Sequence, residues 1–203
     1  MIEAIERNVD FTGWKPEAVV HEPLARLIYD LERAVGDFDP LTIALGVKKA
    51  LEDAIRANDD FVPQRFLEPD TDRYARRLIY MGADRRFSLL AMVWGMGQGT
   101  PLHDHGGDWC VECVYRGAVK ATNYRLEFES DGLCQFSATG TAVDVKGQAN
   151  ALVPPLEHHI LENPGDSPAV TLHVYAHELT HCNAYLPVEG GYRRKACKLG
   201  YTA

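Results

Sequence analysis

The histidines are the residues of this sequence that could most readily do chemistry together. Seven of the eight lie between positions 103 and 181, and two of them form the pair His103-Asp104-His105. On a β-strand, alternate side chains point to one face at a spacing of about 6.5–7 Å, so both imidazoles could close on one metal ion while Asp104 points away. The pair alone could equally be two surface histidines beside a Gly-rich turn, so its context decides.

The composition indicates what kind of protein must position these histidines. The chain has 203 residues, of which 46% are hydrophobic and 25% charged, and its formal net charge is −8. This length fits one domain with a real hydrophobic core, and the acidic balance argues against nucleic-acid binding. No run approaches the roughly 20 apolar residues that span a membrane, and residues 1–11 contain no apolar signal-peptide region. We therefore expect a cytoplasmic protein that binds neither nucleic acid nor membrane.

The five cysteines agree with a cytoplasmic location, because an odd number suggests free thiols rather than a disulfide framework. Cys110 and Cys113 have the spacing C-x-x-C, but they lie in WCVECVY, which has the composition of a strand. Residues three apart on a strand face opposite sides, so we do not expect these two thiols to act as a pair.

Two patterns of secondary structure follow one another along the chain. Residues 1–60 predict amphipathic helices, because apolar residues recur at helical spacing: Leu24, Leu27, Ile28, Leu31, Leu41, Ile43, Leu45, Val47, Leu51 and Ile55. Over residues 70–190, short β-branched and aromatic runs separated by turn signals predict an antiparallel sandwich or barrel. The basic tail GGYRRKACKLGYTA is expected to be a solvated extension. We predict a single domain over residues 1–203, mainly β, with the N-terminal helices packed on it.

The surroundings of the histidines resemble the two motifs of the cupin superfamily. The matching residues are Gly97, His103, His105 and Gly117 in the first motif, and Pro154, His159 and Asn163 in the second. Cys110 stands where the first motif usually has Glu, and His158 competes as third ligand, although the Asn163 register favours His159. The resemblance implies a jelly-roll cupin β-barrel with a His-only metal site. Because three neutral imidazoles leave the full dipositive charge on the metal, such a site favours an anionic ligand such as a thiolate.

Further segments resemble the cysteine dioxygenase family more specifically. They are Tyr74-Ala75-Arg76-Arg77-Leu78, Trp94-Gly95, His159-Ile160-Leu161-Glu162-Asn163, Thr171-Leu172-His173-Val174-Tyr175 and Cys182-Asn183-Ala184-Tyr185. The resemblance implies one ferrous ion, Fe(II), held by His103, His105 and His159. It also implies that L-cysteine binds the iron through thiolate and amine, that O₂ takes the remaining position, and that the product is cysteine sulfinic acid. A monomer is implied as well.

The same resemblance gives Arg76 and Tyr74 a role in substrate binding. A guanidinium offers two parallel donors to a carboxylate, so Arg76 is expected to clamp the substrate carboxylate. Strand alternation sends Arg76 and Arg77 to opposite faces and puts Tyr74 on the face of Arg76. The alternative is that Arg76 is the member of this dibasic step that faces water.

Three residues are expected to be catalytic by the same resemblance, namely Tyr175, His173 and Cys110. Thr171, His173 and Tyr175 share one strand face and form a row of hydroxyl, imidazole and phenol. Cys110 is expected to form a thioether crosslink with Tyr175. The alternatives are that the row consists of satisfied polar core residues and that Cys110 is a small buried hydrophobic residue.

Two other functions remain open at this point. The first is a dioxygenase of another small thiol such as 3-mercaptopropionate, although the presence of Arg76 favours an α-amino acid. The second is a non-catalytic metal-binding or ligand-sensing cupin, because a fold does not fix its chemistry. The coexistence of Arg76, His173 and Tyr175 with three candidate ligands favours the enzyme, with L-cysteine and O₂ as its only expected partners.

Overall fold

The structure is a computed structural model that describes residues 22–58 and 60–202. Its two α-helices are α1 (Glu22–Ala34) and α2 (Pro40–Ala57). Its strands are β1 (Ala75–Met81), β2 (Ser88–Trp94), β3 (Leu102–His103), β4 (Cys110–Arg116), β5 (Ala118–Ser130), β6 (Leu133–Val145), β7 (Ala149–Leu152), β8 (His158–Glu162), β9 (Ala169–Tyr175), β10 (His181–Val188) and β11 (Gly191–Lys198). The predicted mainly β fold is confirmed. Residues 1–21 of the predicted helical part lie outside the described residues.

The two helices form where the apolar spacing predicts them. The buried face of α1 consists of Leu24, Leu27, Ile28 and Leu31, and that of α2 of Ala44, Val47, Leu51 and Ile55. Pro40 opens α2 after the N-cap residue Asp39, whose carboxylate accepts the Thr42 N–H at 2.8 Å. Leu41 and Leu45 were expected on the apolar face, but they lie off this stripe and are 54% and 53% exposed.

The strands are divided between an open sheet and a barrel. The open sheet has five strands in the order β1-β2-β9-β4-β7, and the closed barrel has the order β10-β11-β6-β5-β8-β3. Neighbouring strands pair in antiparallel fashion throughout. β3 has only two residues, yet it pairs with both β10 and β8 and thereby closes the barrel.

The five-stranded sheet separates two hydrophobic regions, and the alternation of β9 shows how. Val170, Leu172 and Val174 pack in the core that the helices share with one face of the sheet. His173 and Tyr175 are buried on the other face, where they line an interior cavity. The alternate residues of one strand therefore serve two purposes, since one set anchors the helices and the other faces the cavity.

The tail corrects the expectation of a solvated extension. β11 lies within it and pairs with β10 along eight residues and with β6 at two positions. Its many charged side chains suit an exposed strand of a barrel but make the strand hard to predict from the sequence.

Of the helices that the structure describes, none is long and apolar enough to cross a membrane. The single domain over residues 1–203 stays a prediction.

Candidate metal and substrate site

Three imidazoles meet in one cluster formed by His103, His105 and His159. Their candidate ligand atoms all lie within 4.8 Å of one another, and their ring centroids are 4.6–5.2 Å apart. His103 lies directly opposite His159 in the pairing of β3 with β8, so the backbone register brings these two rings together. The structure thus places the three predicted metal ligands in a group that could hold one ion.

The protonation state and hydrogen bonds of the three rings fit a divalent metal. His103 Nδ1 lies 3.1 Å from the Pro101 carbonyl oxygen, so Nδ1 donates and the Nε2 electron pair is available to a metal. His105 Nδ1 and both ring nitrogens of His159 are buried and have no hydrogen-bond partner within the described part of the chain. Burial lowers the pKa of all three rings, strongly for His105 and His159, and the neighbouring imidazoles lower it further. Neutral rings with unpaired nitrogens are what metal binding requires.

The position of His105 depends on Asp104 rather than on a strand. The expectation that His103 and His105 share one strand is wrong, because β3 ends at His103. The Asp104 carboxylate instead accepts three bonds from β10: from the backbone N–H of Asn183 at 2.8 Å, from its side-chain amide at 2.8 Å and from the Tyr185 hydroxyl at 2.9 Å. Although burial acts to raise the pKa of Asp104, these donors hold it below its usual value. Asp104 therefore fixes the loop that carries His105.

Two carboxylates stand behind the imidazoles, and neither was predicted from the sequence. Glu157 accepts the backbone N–H of His105 at 3.0 Å. Glu112 is buried, with one oxygen 3.6 Å from His159 Nδ1 and the other 4.0 Å from His173 Nε2. Burial raises the pKa of Glu112 to about 8. The available signal was its position as a charged residue in the apolar run WCVECVY of β4.

The polar row of β9 is joined by hydrogen bonds and continues to a tryptophan on β2. The indole N–H of Trp94 donates to Thr171 Oγ1 at 2.9 Å, and Thr171 Oγ1 lies 2.8 Å from His173 Nε2. His173 Nδ1 lies 3.2 Å from the Tyr175 hydroxyl. Burial lowers the pKa of His173 to about 3 and raises that of Tyr175 well above its usual value, so both rings are neutral. Sequence reasoning did not include Trp94 in the row.

Arg76 and Tyr74 line the same small cavity as His103, His105, His173 and Tyr175. The cavity is small, with a volume of about 30 Å³. The Arg76 guanidinium is buried and donates to the carbonyl oxygens of Gly200 at 3.0 Å and Leu179 at 3.3 Å. Tyr74 packs on Trp94 with ring centroids 4.9 Å apart. The cavity therefore has a cationic group and two members of the histidine cluster among its walls.

The positions of Cys110 and His158 depend on the alternation of side chains between the two faces of a strand. Cys110 lies directly opposite Tyr175 in the pairing of β4 with β9. It belongs to the hydrophobic core on the cavity side of the open sheet. Cys113 belongs to the core under the helices, so the two thiols of the C-x-x-C segment do face opposite sides, as predicted. His158 lies outside the three-histidine group and packs against Phe136 and Tyr185, with centroids 5.1 and 5.4 Å away.

Solved structures resemble parts of this fold. The protein TT1209 from Thermus thermophilus is 19% identical and covers 59% of this chain and 98% of its own, with a TM-score of 0.46. The Cnp3 cupin domain of Schizosaccharomyces pombe is 11% identical and covers 57% of this chain and 72% of its own, with a TM-score of 0.43. These likenesses are partial, and the strand pairing itself gives a mainly β fold, with a closed barrel and an open sheet on which the helices pack.

Sequence comparisons are more specific. Cysteine dioxygenase type 1 of Danio rerio is 29% identical over 124 residues, which is 60% of each chain, and that of Homo sapiens is 27% identical over 117 residues, or 57% of each chain. The chain thus spans less than two thirds of the length of these curated relatives. A family model described as cysteine dioxygenase type I matches residues 43–187, a segment that contains the histidine cluster, Arg76 and the polar row. The chain belongs to the cysteine dioxygenase type I family.

Proposed function

We propose that this protein is a mononuclear non-heme iron thiol dioxygenase that converts L-cysteine and O₂ to cysteine sulfinic acid. The observation that carries the proposal is one small cavity lined by Arg76, by two members of the histidine cluster, His103 and His105, and by Tyr175. A cationic group, a candidate metal site and a phenol are the groups that an amino acid with a thiol would need at its carboxylate, sulfur and reacting centre. The family membership supports the same reaction class.

We propose His103, His105 and His159 as the ligands of Fe(II), which would supply the redox chemistry that joins O₂ to sulfur. Support comes from the neutral rings of His105 and His159 and from the unpaired buried Nε2 of His159, whose Nδ1 faces Glu112. A carboxylate oxygen lies near Nδ1 of each ring, that of Glu157 4.0 Å from His105 and that of Glu112 3.6 Å from His159. Carboxylates beside the second ring nitrogen orient ligand histidines in many metal sites.

Arg76 would bind the substrate carboxylate, with Tyr74 beside it. The bonds to Gly200 and Leu179 use two of the five N–H donors of a guanidinium, and the fork still offers donors to a carboxylate. These two bonds also fix the orientation of the guanidinium before substrate arrives, which reduces the entropy lost on binding.

The polar row would control the proton of Tyr175. With the Trp94 N–H on one lone pair of Thr171 Oγ1, we assign the Thr171 hydroxyl as donor to His173 Nε2. The neutral ring then carries its proton on Nδ1 and donates it to the Tyr175 oxygen. In this arrangement the Tyr175 hydroxyl directs its own proton to the cavity, where it can donate to a bound ligand.

We propose that Cys110 and Tyr175 form a thioether, a C–S bond whose formation releases two hydrogens to O₂, the oxidant of the proposed reaction. Directly opposed residues of an antiparallel pair have Cβ atoms about 4.5–5.5 Å apart, close enough for a thiol to reach the edge of a phenol ring. Peptide mapping of active, iron-loaded protein is expected to show one linked species, two hydrogens lighter than the two peptides and resistant to reductants. The absence of this species in active protein would remove the crosslink.

The function is tested by anaerobic reconstitution with Fe(II), followed by O₂ uptake and sulfinate formation with L-cysteine. His159→Ala and His158→Ala form a matched pair, because the two rings are adjacent in sequence and only His159 lies in the cluster. We expect the first variant to lose iron and activity and the second to keep both. Tightly bound zinc without O₂ uptake after reconstitution would favour the non-catalytic cupin. A larger kcat/KM for 3-mercaptopropionate than for L-cysteine would overturn L-cysteine as the substrate.

The monomeric state, the cytoplasmic location and the absence of nucleic-acid or membrane binding stay predictions.

A further inference from the structure

Two cysteines outside the histidine cluster face each other across neighbouring strands. Cys182 on β10 lies directly opposite Cys197 on β11, and both are free thiols. Directly opposed residues in an antiparallel pair have Cα atoms about 4.5 or 5.5 Å apart, which lies inside the range of about 4.4–6.8 Å found in disulfides. The backbone register therefore gives these two residues a Cα separation that suits a disulfide.

The remaining described cysteines have no such partner. Cys110 faces Leu152 and Tyr175, Cys113 faces Ala149 and Leu172, and Cys134 faces Glu129 and Tyr192. The arrangement of Cys182 and Cys197 is thus specific to β10 and β11 among the described strands, and the other three thiols provide internal controls.

The two thiols differ in accessibility, which gives them different roles. Cys182 is buried and lines the cavity that Arg76 lines, and burial raises its pKa to about 11. Cys197 is partly exposed and lies in a basic strand that includes Arg194 and Lys195. Because Cys197 is the more exposed of the two, it is the thiol that an external reagent meets first.

We propose that Cys182 and Cys197 form a reversible dithiol–disulfide site whose oxidant is the disulfide of a small thiol. The Cys197 thiolate attacks one sulfur of this disulfide, which forms a mixed disulfide and releases one small thiol. The Cys182 thiolate then attacks the Cys197 sulfur, which forms the Cys182–Cys197 bond and releases the second small thiol. The two protein thiols lose two protons and two electrons, and the small disulfide gains both.

Formation of this disulfide would affect Arg76, because Arg76 is hydrogen-bonded to the residues that follow β11. Arg76 Nη1 donates to the Gly200 carbonyl, the Arg76 backbone N–H donates to Thr202 Oγ1 at 3.0 Å, and the Thr202 N–H donates to the Arg76 carbonyl at 2.7 Å. A disulfide needs Cβ atoms about 3.5–4.5 Å apart, closer than the roughly 4.5–5.5 Å of an opposed pair. Bond formation therefore shifts the backbone locally around Cys197, and Leu199, two residues further along, lines the cavity together with Cys182. Given the proposed function, we expect the oxidised protein to have a higher KM for L-cysteine.

The test treats the full chain, as purified and kept anaerobic, with cystine, then quenches with acid, alkylates free thiols and maps the peptides. We expect a peptide that links Cys182 to Cys197, two hydrogens lighter than its parts and released by dithiothreitol. The reductant separates this bond from a Cys110–Tyr175 thioether, which it cannot cleave. Cys182→Ser should stop at a mixed disulfide on Cys197, whereas Cys134→Ser should behave as the wild-type chain.

The proposal is overturned if wild-type protein leaves both thiols alkylated, or if it retains a stable mixed disulfide on Cys197 as Cys182→Ser does. An unchanged KM in protein that carries the linked peptide would overturn the coupling to Arg76. The peptide readout needs no turnover, so a chain that forms the link but never oxidises thiols would refute the proposed function and leave the dithiol site standing.

Discussion

Replacing Arg76 by alanine separates its two tasks, which are binding a carboxylate and holding neighbouring backbone. The variant loses the bonds to the Gly200 and Leu179 carbonyls. Leu179 is buried, and leaving a buried acceptor without its donor costs about 1–3 kcal/mol, to which the bond to the exposed Gly200 adds about 1 kcal/mol. We therefore expect the free energy of unfolding to fall by about 2–4 kcal/mol. At about 2–4 °C per kcal/mol for a domain of this size, Tm should fall by roughly 5–15 °C.

The effect on substrate binding is worked from the lost charge-assisted pair. A hydrogen bond to a charged group is worth about 1.5–3 kcal/mol, so kcat/KM for L-cysteine should fall by about 10–100-fold, mainly through KM. Cysteamine, which is cysteine without its carboxylate, provides the control on the substrate side. Any general damage by the substitution lowers turnover of both thiols, whereas loss of the clamp lowers only that of L-cysteine.

The assay compares kcat/KM for L-cysteine and cysteamine in the wild-type chain and in Arg76→Ala. We expect the ratio between the two substrates to fall by about 10–100-fold in the variant. Arg77→Ala is the matched variant, because its guanidinium donates to the Glu68 carbonyl oxygen at 3.0 Å and Arg77 is not part of the cavity wall. An unchanged substrate ratio in Arg76→Ala would refute the clamp, whatever its effect on Tm.

Three further substitutions test the surroundings of the histidine cluster. Asp104→Asn replaces one acceptor oxygen by a donor, so it should lower the free energy of unfolding by about 2–4 kcal/mol in urea titrations, more than Tyr185→Phe, which removes one donor only. Glu112→Leu should bind Co(II) or Fe(II) about 10–100-fold more weakly in competition titrations, yet keep or raise Tm because it removes a buried carboxyl group. Thr171→Val leaves the Trp94 N–H without its acceptor and should cost about 1–3 kcal/mol by the same titration, whereas Thr171→Ser should cost less.

Each of the three has an outcome that would contradict it. Equal losses in Asp104→Asn and Tyr185→Phe would show that the carboxylate does not collect several donors. A Glu112→Leu variant with wild-type metal affinity would remove this carboxylate from the support of His159. If Thr171→Val and Thr171→Ser unfold alike, the hydroxyl is not the acceptor that matters.

The sequence predicted the mainly β fold and, through its motifs, the three histidines that the structure brings together, but not how these candidate ligands are held. His103 and His105 were expected on one strand, because alternation is the simplest way to bring two such rings together. The strand ends at His103, and Asp104 determines the position of His105 by bonds to Asn183, about 80 residues away along the chain. Such a bond depends on how β10 folds back on the loop, and no local pattern encodes it.

Buried carboxylates and charged strands were missed for related reasons. Glu112 stands in an apolar run, and only the packing of β4 beside β9 shows that it approaches His159 and His173. The strand β11 was not predicted, because the charged residues Arg193, Arg194 and Lys195 are typical of a solvated segment. An exposed strand can contain such residues, since its backbone pairing holds it in place. Strand alternation alone was sufficient for Cys110 and Cys113, because it depends on spacing only.

The shortness of β3 has a consequence for how the molecule opens. This strand joins β8 and β10 through three residue pairings, and one of them is the pairing of two candidate ligands, His103 and His159. An ion bound by these rings would therefore stabilise the pairing of β3 with β8, which is the shortest strand pairing of the barrel. Amide hydrogen exchange around β3 and β8 should be fast in the metal-free chain and slow on metal binding, while the long pairing of β5 with β6 exchanges equally in both states.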